Sequence, residues 1–232
     1  MSLATTISAP ASCWACGVTF ASPTLLCAHC GKVQPDSGAD YFQAFGLERK
    51  LGLDTAALEQ EFHRLSRRLH PDRFARAAQE EQNWSLASTA LLNDAYRTLR
   101  DPIQRTEYLL RLEGLKIGEE NAGKNKSADR QPPADLLEEV FELNMQLEEM
   151  RMNQKVGEDD PALIQDLTAA RTRFEGLLAQ VDSDLAAKGH EWDSGDAATR
   201  DAAANAMAAL LDRRRYLRNL VRDVNEVLTT TT

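Results

Sequence analysis

Apolar residues recur along this chain at steps of three and four, and the longest such runs divide it into helices. Leu58, Phe62, Leu65 and Leu69 follow steps of four, three and four, which puts them on one helix face. Arg64, Arg67 and Arg68 occupy the other face. Pro71 disfavours helical backbone at His70, so this helix is predicted to stop there. A second helix is predicted over 83–99, burying Leu91, Leu92, Ala95 and Leu99. Asp101-Pro102 opens another: Asp caps the free amides, Pro suits the first turn, and Gln104 can complete a capping box. Gly114 is its predicted stop. From Tyr41 to Gly114 the pattern reads as helical throughout.

Residues 118–133 are polar and hold Gly, Asn, Lys and two prolines, the composition of a mobile linker. Three long amphipathic segments follow. The first, about 134–156, carries Leu137, Val140, Phe141, Leu143, Leu147 and Met150. The second starts at Asp160-Pro161 and shows Leu163, Leu167, Ala170, Phe174, Leu177 and Val181, with Gly189 as its expected end. The third, about 196–228, shows Met207, Leu210, Leu211, Leu217, Val221, Val224 and Leu228. Short turns between them predict an antiparallel three-helix bundle. No internal repeat and no strand pattern shows outside the cysteine segment. The fold class is therefore all-α. It comprises a cysteine segment with linker (1–39, its last part, 33–40, a short polar stretch), a helical hairpin domain (40–117), a linker (118–133) and a bundle (134–232).

Composition narrows the function classes. The 232 residues suit two domains with a small appendage. A net charge of −9 argues against general nucleic-acid affinity, so local basic clusters read as sites for particular partners. No apolar run approaches the ~18 residues of a membrane span, and the first dozen residues show neither a secretory signal nor a transit-peptide pattern. All four cysteines lie within residues 13–30, which is no disulfide framework for the whole chain and fits a reducing compartment.

Those cysteines form two Cys-x-x-Cys-Gly units, Cys13/Cys16 and Cys27/Cys30, with ten residues between them. Each unit can fold as a knuckle aiming two thiolates at one ion, with Gly17 and Gly31 allowing the turns. Four thiolates suit tetrahedral, structural zinc. Two disulfides or a thioredoxin-like redox pair are the alternatives. His29 is expected to be exposed and no ligand. Trp14 and Phe20 are expected to cover the metal site or to pack on the next domain.

His70-Pro71-Asp72 is the most informative motif. Pro71 stiffens the turn, His70 and Asp72 can project into solvent, and Arg64, Arg67, Arg68 and Arg73 make a basic surface beside them. Such a surface steers acidic partners and speeds their association. No nucleophile with an adjacent base and no phosphate-cradling glycine loop accompanies His70, so the domain does not read as catalytic. With Tyr41-Phe42, the Arg-rich helix, Arg73-Phe74 and Asn93-Asp94-Ala95-Tyr96-Arg97-Thr98-Leu99, the motif resembles a J-domain. Asp40-Tyr41-Phe42 with Glu107-Tyr108-Leu109-Leu110 is similar, more narrowly, to the HscB family of J-type co-chaperones for iron–sulfur cluster assembly. The cysteine segment resembles the N-terminal extension of that family's longer members. Arg73 departs from the commoner lysine but keeps the charge.

The resemblance implies a non-enzymatic protein with two partners. The J-domain, through His70, Pro71, Asp72 and the four arginines, docks on a DnaK/HscA-class ATPase chaperone and accelerates its ATP hydrolysis. The bundle binds an IscU-type iron–sulfur scaffold protein at positions matching Leu137, Phe141, Glu142, Met145, Arg215 and Tyr216. Leu137, Phe141 and Met145 share a helical face, though they could equally be bundle core. Glu138 stands where some relatives have an apolar residue. The family's role also admits a cysteine-bound iron–sulfur cluster in place of zinc. Rival readings are a general J-domain co-chaperone for unfolded clients, a zinc-ribbon regulator and a Cys-x-x-Cys oxidoreductase. The expected compartment is the bacterial cytoplasm, or a mitochondrial matrix for a processed protein. Neither nucleic acid nor membrane is expected as a partner.

Overall fold

The computed structural model describes residues 12–35, 38–117, 133–158 and 160–229. The linker expected at 118–133 lies, apart from Pro133, outside them. Among the described residues are seven α-helices: α1 (Tyr41–Ala44), α2 (Thr55–Leu69), α3 (Gln79–Arg100), α4 (Pro102–Leu112), α5 (Leu137–Val156), α6 (Pro161–Ser194) and α7 (Ala197–Thr229). Only isolated bridges, Ser12 with Thr19 and Leu26 with Val33, represent β-structure there. The chain divides into two compact units, one ending at Tyr108 and the other beginning at Leu109.

In the first unit, Asp40 caps α1 and exchanges a capping box with Gln43, while Arg49 donates two bonds to the Asp40 carboxylate. The ring of Tyr41 stacks on Tyr108 at 4.2 Å, and the Tyr108 hydroxyl accepts from the Tyr41 amide. Residues 45–54 are not helical, contrary to the continuous reading of this region; Gly46, at φ +67°, turns the chain away from α1. Asp54 then caps α2. Helices α2 and α3 form an antiparallel hairpin. Leu58, Leu65, Leu69, Leu92, Ala95 and Leu99 are buried, and Phe62 stacks on Tyr96 at 4.2 Å. The second helix begins at Gln79, four residues earlier than expected, with Glu80 and Glu81 in a first turn where acidic side chains favour the helix dipole. Asp101 accepts from the Ile103 and Gln104 amides to open α4. Gly114, at φ +83°, follows its end.

The second unit contains the three-helix bundle. Helix α5 runs antiparallel to α6, with Glu139 paired to Arg173. It runs parallel to α7, with Asp135 bound by Arg213 and Gln154 donating to the Val227 carbonyl. Arg214 binds Asp182 between α6 and α7. With 20 residues against 34 and 33, α5 covers only part of the α6–α7 hairpin. Gly189 does not end α6, as the sequence suggested. A mid-helix glycine costs about 1 kcal/mol. Trp192, about one turn beyond Gly189, is buried, and burying a large apolar side chain returns more than that cost, so the helix continues to Ser194. The turn falls instead at Gly195, where an added Cβ would lie 2.6 Å from the Thr199 methyl and 2.7 Å from the Glu191 carbonyl oxygen. Asp196 caps α7 through the Thr199 amide, and Arg200 lies over the Trp192 ring at 5.0 Å.

Candidate functional site

Three sets of residues emerge, two in the first unit and one in the second. The cysteines form two matching knuckles. In each, the amide of the glycine donates to the carbonyl of the first cysteine at 2.9 Å: Gly17 to Cys13 and Gly31 to Cys27. Both glycines have left-handed backbone, φ +73° and +75°, which explains the residue type at those two positions. The knuckles face each other. Cys13 and Cys30 sulfurs are 3.6 Å apart, Cys16 and Cys27 sulfurs 3.7 Å apart, and all four lie within 4.8 Å of one another. A thiolate–zinc distance of 2.3 Å gives a tetrahedral edge of about 3.8 Å. The four cysteines are free, and 3.6 Å is far too long for the roughly 2.0 Å of a disulfide. These sulfurs can hold a metal ion, and their compactness suits one ion.

The thiols do not ionise alike. Burial opposes ionisation of Cys13, but the Ala15 and Cys16 amides outweigh it and draw the thiol down to about 6. At Cys16 the Val18 amide favours the thiolate, yet burial and the neighbouring sulfurs push the thiol up to about 12. Four thiolates at this spacing need a cation to coexist, so metal binding there releases protons.

The cysteine segment packs on α3. Trp14 meets Trp84 at 5.4 Å, and Lys32 binds Glu81, itself buried, at 2.8 Å. Trp14 thus packs against the next domain, while its indole donates to the Val33 carbonyl. His29 is exposed. Val33 and Gln34 are buried, so they belong to the knuckle and not to a polar linker, and Gln34 donates towards the Cys13 sulfur at 3.4 Å. Sequence reasoning missed Gln34, Lys32 and Glu81. Lys32 and Glu81 are 49 residues apart and share no pattern.

Helix α2 stops at Leu69, as Pro71 requires, and Pro71–Phe74 forms one 3-10 turn. His70 and Asp72 project into solvent with side chains 54% and 89% exposed, and the His70 Nδ1 accepts from the Asp72 amide at 3.3 Å. Two residues that sequence reasoning did not single out hold this end in place. Ser85 donates to the Leu69 carbonyl at 2.6 Å and Thr89 at 3.1 Å. Arg64, Arg67 and Arg73 are exposed and Arg68 is half-buried. Arg64 is bound to Glu61, which raises its pKa further, and Arg67 donates to the His63 carbonyl.

On the bundle, Leu137, Phe141 and Met145 are 52%, 68% and 60% exposed, so they are not core. The core side of α5 is formed by Val140, Leu143, Leu147 and Met150. Glu142 faces a cleft of about 300 Å³ between α5 and α6 that also includes Asp166 and Arg173. Arg215 and Tyr216 lie on α7 two and three residues after Arg213, the residue that binds Asp135 just before α5. Arg215 pairs with Asp212, and burial raises the Tyr216 hydroxyl's pKa. No helix among the described residues is long and apolar enough to cross a membrane.

Comparison with known proteins places this arrangement. No profile of a protein family matches the chain. The mouse iron–sulfur cluster co-chaperone protein HscB is 36% identical over 139 residues, covering 58% of this chain and 56% of the mouse protein. The human protein of the same description is 36% identical over 141 residues, covering 59% and 57%. The chain thus matches rather more than half the length of these curated relatives. The crystal structure of human HscB superposes with a TM-score of 0.62 at 24% identity, covering 93% of this chain and 98% of that one. HscB from Vibrio cholerae superposes with a TM-score of 0.52 at 25% identity, covering 82% and 97%.

Proposed function

We infer the role of this chain from one premise: it is an HscB-type protein of the long form, with a four-cysteine segment before its J-domain. It acts in iron–sulfur cluster assembly as a co-chaperone and not as a catalyst. Its J-domain docks on a DnaK/HscA-class chaperone and stimulates ATP hydrolysis there. Its bundle binds an IscU-type scaffold protein and delivers it to that chaperone, which promotes cluster transfer. The exposed Leu137, Phe141 and Met145 carry this reading. A monomeric bundle gains nothing by leaving three large apolar side chains in water along one helix, whereas a docking face requires them.

Each residue has a defined part. His70 and Asp72 contact the chaperone beyond the end of α2. Pro71 fixes their turn, and Arg64, Arg67, Arg68 and Arg73 steer its acidic surface. Glu142, Arg215 and Tyr216 supply the polar rim of the scaffold site. Cys13, Cys16, Cys27 and Cys30 hold one zinc ion, which fixes the knuckles against α3 and supplies no reaction chemistry. The protein works in a reducing compartment, such as a bacterial cytoplasm or a mitochondrial matrix.

Purified protein, scaffold and chaperone test the proposal. The wild type is expected to raise the chaperone's ATPase rate severalfold, and His70→Gln to abolish that rise with helicity and scaffold binding intact. Stimulation by His70→Gln equal to wild type would remove the motif from the mechanism. Metal analysis of protein purified without added zinc is expected to give one zinc per chain and no visible absorbance band.

A further inference from the structure

The exposed apolar face of α5 does not end at Met145. Met152 and Val156 are 65% and 69% exposed, more so than Leu137 or Met145. At 100° per residue all five side chains fall within about 100° of arc, on the side of α5 away from Val140, Leu143, Leu147 and Met150. They form a strip about 28 Å long, from Leu137 to Val156, interrupted by Glu148 between Met145 and Met152. Between Met145 and Met152, about 10 Å apart along the axis, Glu148 falls inside that arc and Glu149 just outside it. Arg151 binds Glu148 at 3.2 Å, on the edge of the strip away from Met152.

Resting on the reading that Leu137, Phe141 and Met145 dock the scaffold protein, we propose that Met152 and Val156 form a second contact region for that same partner. The scaffold then lies along the whole of α5 and does not stop at its first half. The shared side of α5 and the area support this. A specific complex buries about 800 Å² on each partner, and three side chains of this size supply roughly half of it. Adding Met152 and Val156 brings the strip close to that requirement. Methionine is suited to the position, because its flexible thioether adapts to an irregular partner surface. The second region would therefore tolerate different apolar residues on the scaffold, while Phe141 sets the register.

The test is calorimetric titration of the full chain with a purified IscU-type scaffold protein. A Met152→Ala/Val156→Ala variant adds no charge and is expected to weaken binding about fivefold. Met152→Glu/Val156→Glu is expected to weaken it at least fiftyfold. Both should melt like wild type, since neither side chain is buried. Affinity of the alanine pair within twofold of wild type, while the triple alanine variant at Leu137, Phe141 and Met145 loses binding, overturns the second region and leaves the scaffold reading intact. Unchanged binding by the triple variant sinks that reading and this inference with it. Sedimentation of the same proteins decides the remaining case. A wild-type dimer dissociated by the glutamate pair, with scaffold affinity unchanged, assigns the face to a second copy of the chain and also overturns the proposal.

Discussion

The Leu69 carbonyl is a helix-end acceptor that α2 cannot satisfy internally, and it lies next to His70. Ser85, fully buried on α3, and Thr89 both donate to it. A buried carbonyl stripped of its partners costs about 1–3 kcal/mol, whereas losing one of two donors costs about 1 kcal/mol. Ser85→Ala is therefore expected to lower the urea midpoint modestly, and Ser85→Ala/Thr89→Val to lower it by at least twice as much. On the co-chaperone role proposed above, the double variant should also stimulate the chaperone less, because the turn carrying His70 and Asp72 loses its anchor. Unaltered stimulation would mean that Pro71 alone fixes the motif. Neither donor was legible as such in the sequence. Serine and threonine within an amphipathic helix look like ordinary spacers until the partner helix is in place. The motif was legible, because Pro71 acts through local backbone geometry and the flanking apolar steps are regular.

Helix α5 has apolar residues on two sides, and periodicity alone could not say which was core. The structure assigns Leu143 to the interior and Phe141 to the surface. Leu143→Ala should destabilise by about 2–5 kcal/mol. Phe141→Ala should change stability by no more than about 0.5 kcal/mol. Equilibrium denaturation of the two variants distinguishes the faces. The 3-10 turn Ala134–Leu136 that leads into α5 is tied to α7 by Arg213, which donates to both Asp135 oxygens at 2.9 and 2.8 Å and holds that carboxyl below the usual aspartate range. A depressed carboxyl pKa contributes stability at pH values above the unfolded pKa and loses it as pH falls through the folded one. The stability gap between wild type and Arg213→Ala should thus be present at pH 7 and close as the solution is acidified below about pH 4. The helix ends were legible where Asp-Pro or Asp caps mark them, at Asp101, Asp160 and Asp196. Gly189 misled because its cost is local, while the burial that outweighs it belongs to tertiary packing.

At the scale of the whole molecule, the long helices and the cysteine knuckles could be read directly, because each is written in a repeating local code. The seating of the knuckles on α3 could not, since it depends on Trp14 meeting Trp84 and Lys32 meeting Glu81. That seating predicts what metal removal does. Chelation should red-shift the emission of Trp14 and Trp84, read in a Trp192→Phe background, and should lower the melting temperature of the unit that contains them by several degrees. Because thiols must give up protons to the ion, metal affinity should fall as pH drops from 8 to 6. Emission and melting unaffected by chelation would mean that the segment holds its fold without an ion. The two apolar sides of α5 have a last consequence, for folding specificity. Rotated by half a turn, the same helix could bury Leu137, Phe141, Met145, Met152 and Val156 and still hide comparable hydrocarbon. Hydrophobic gain alone is then a weak guide to orientation, and the choice falls to charged and polar groups: Glu148, which the rotated helix would bury, and the keys Asp135 with Arg213, Glu139 with Arg173, and Gln154 with the Val227 carbonyl. Ion pairs worth little as glue become elements that tell the bundle which face to leave in water.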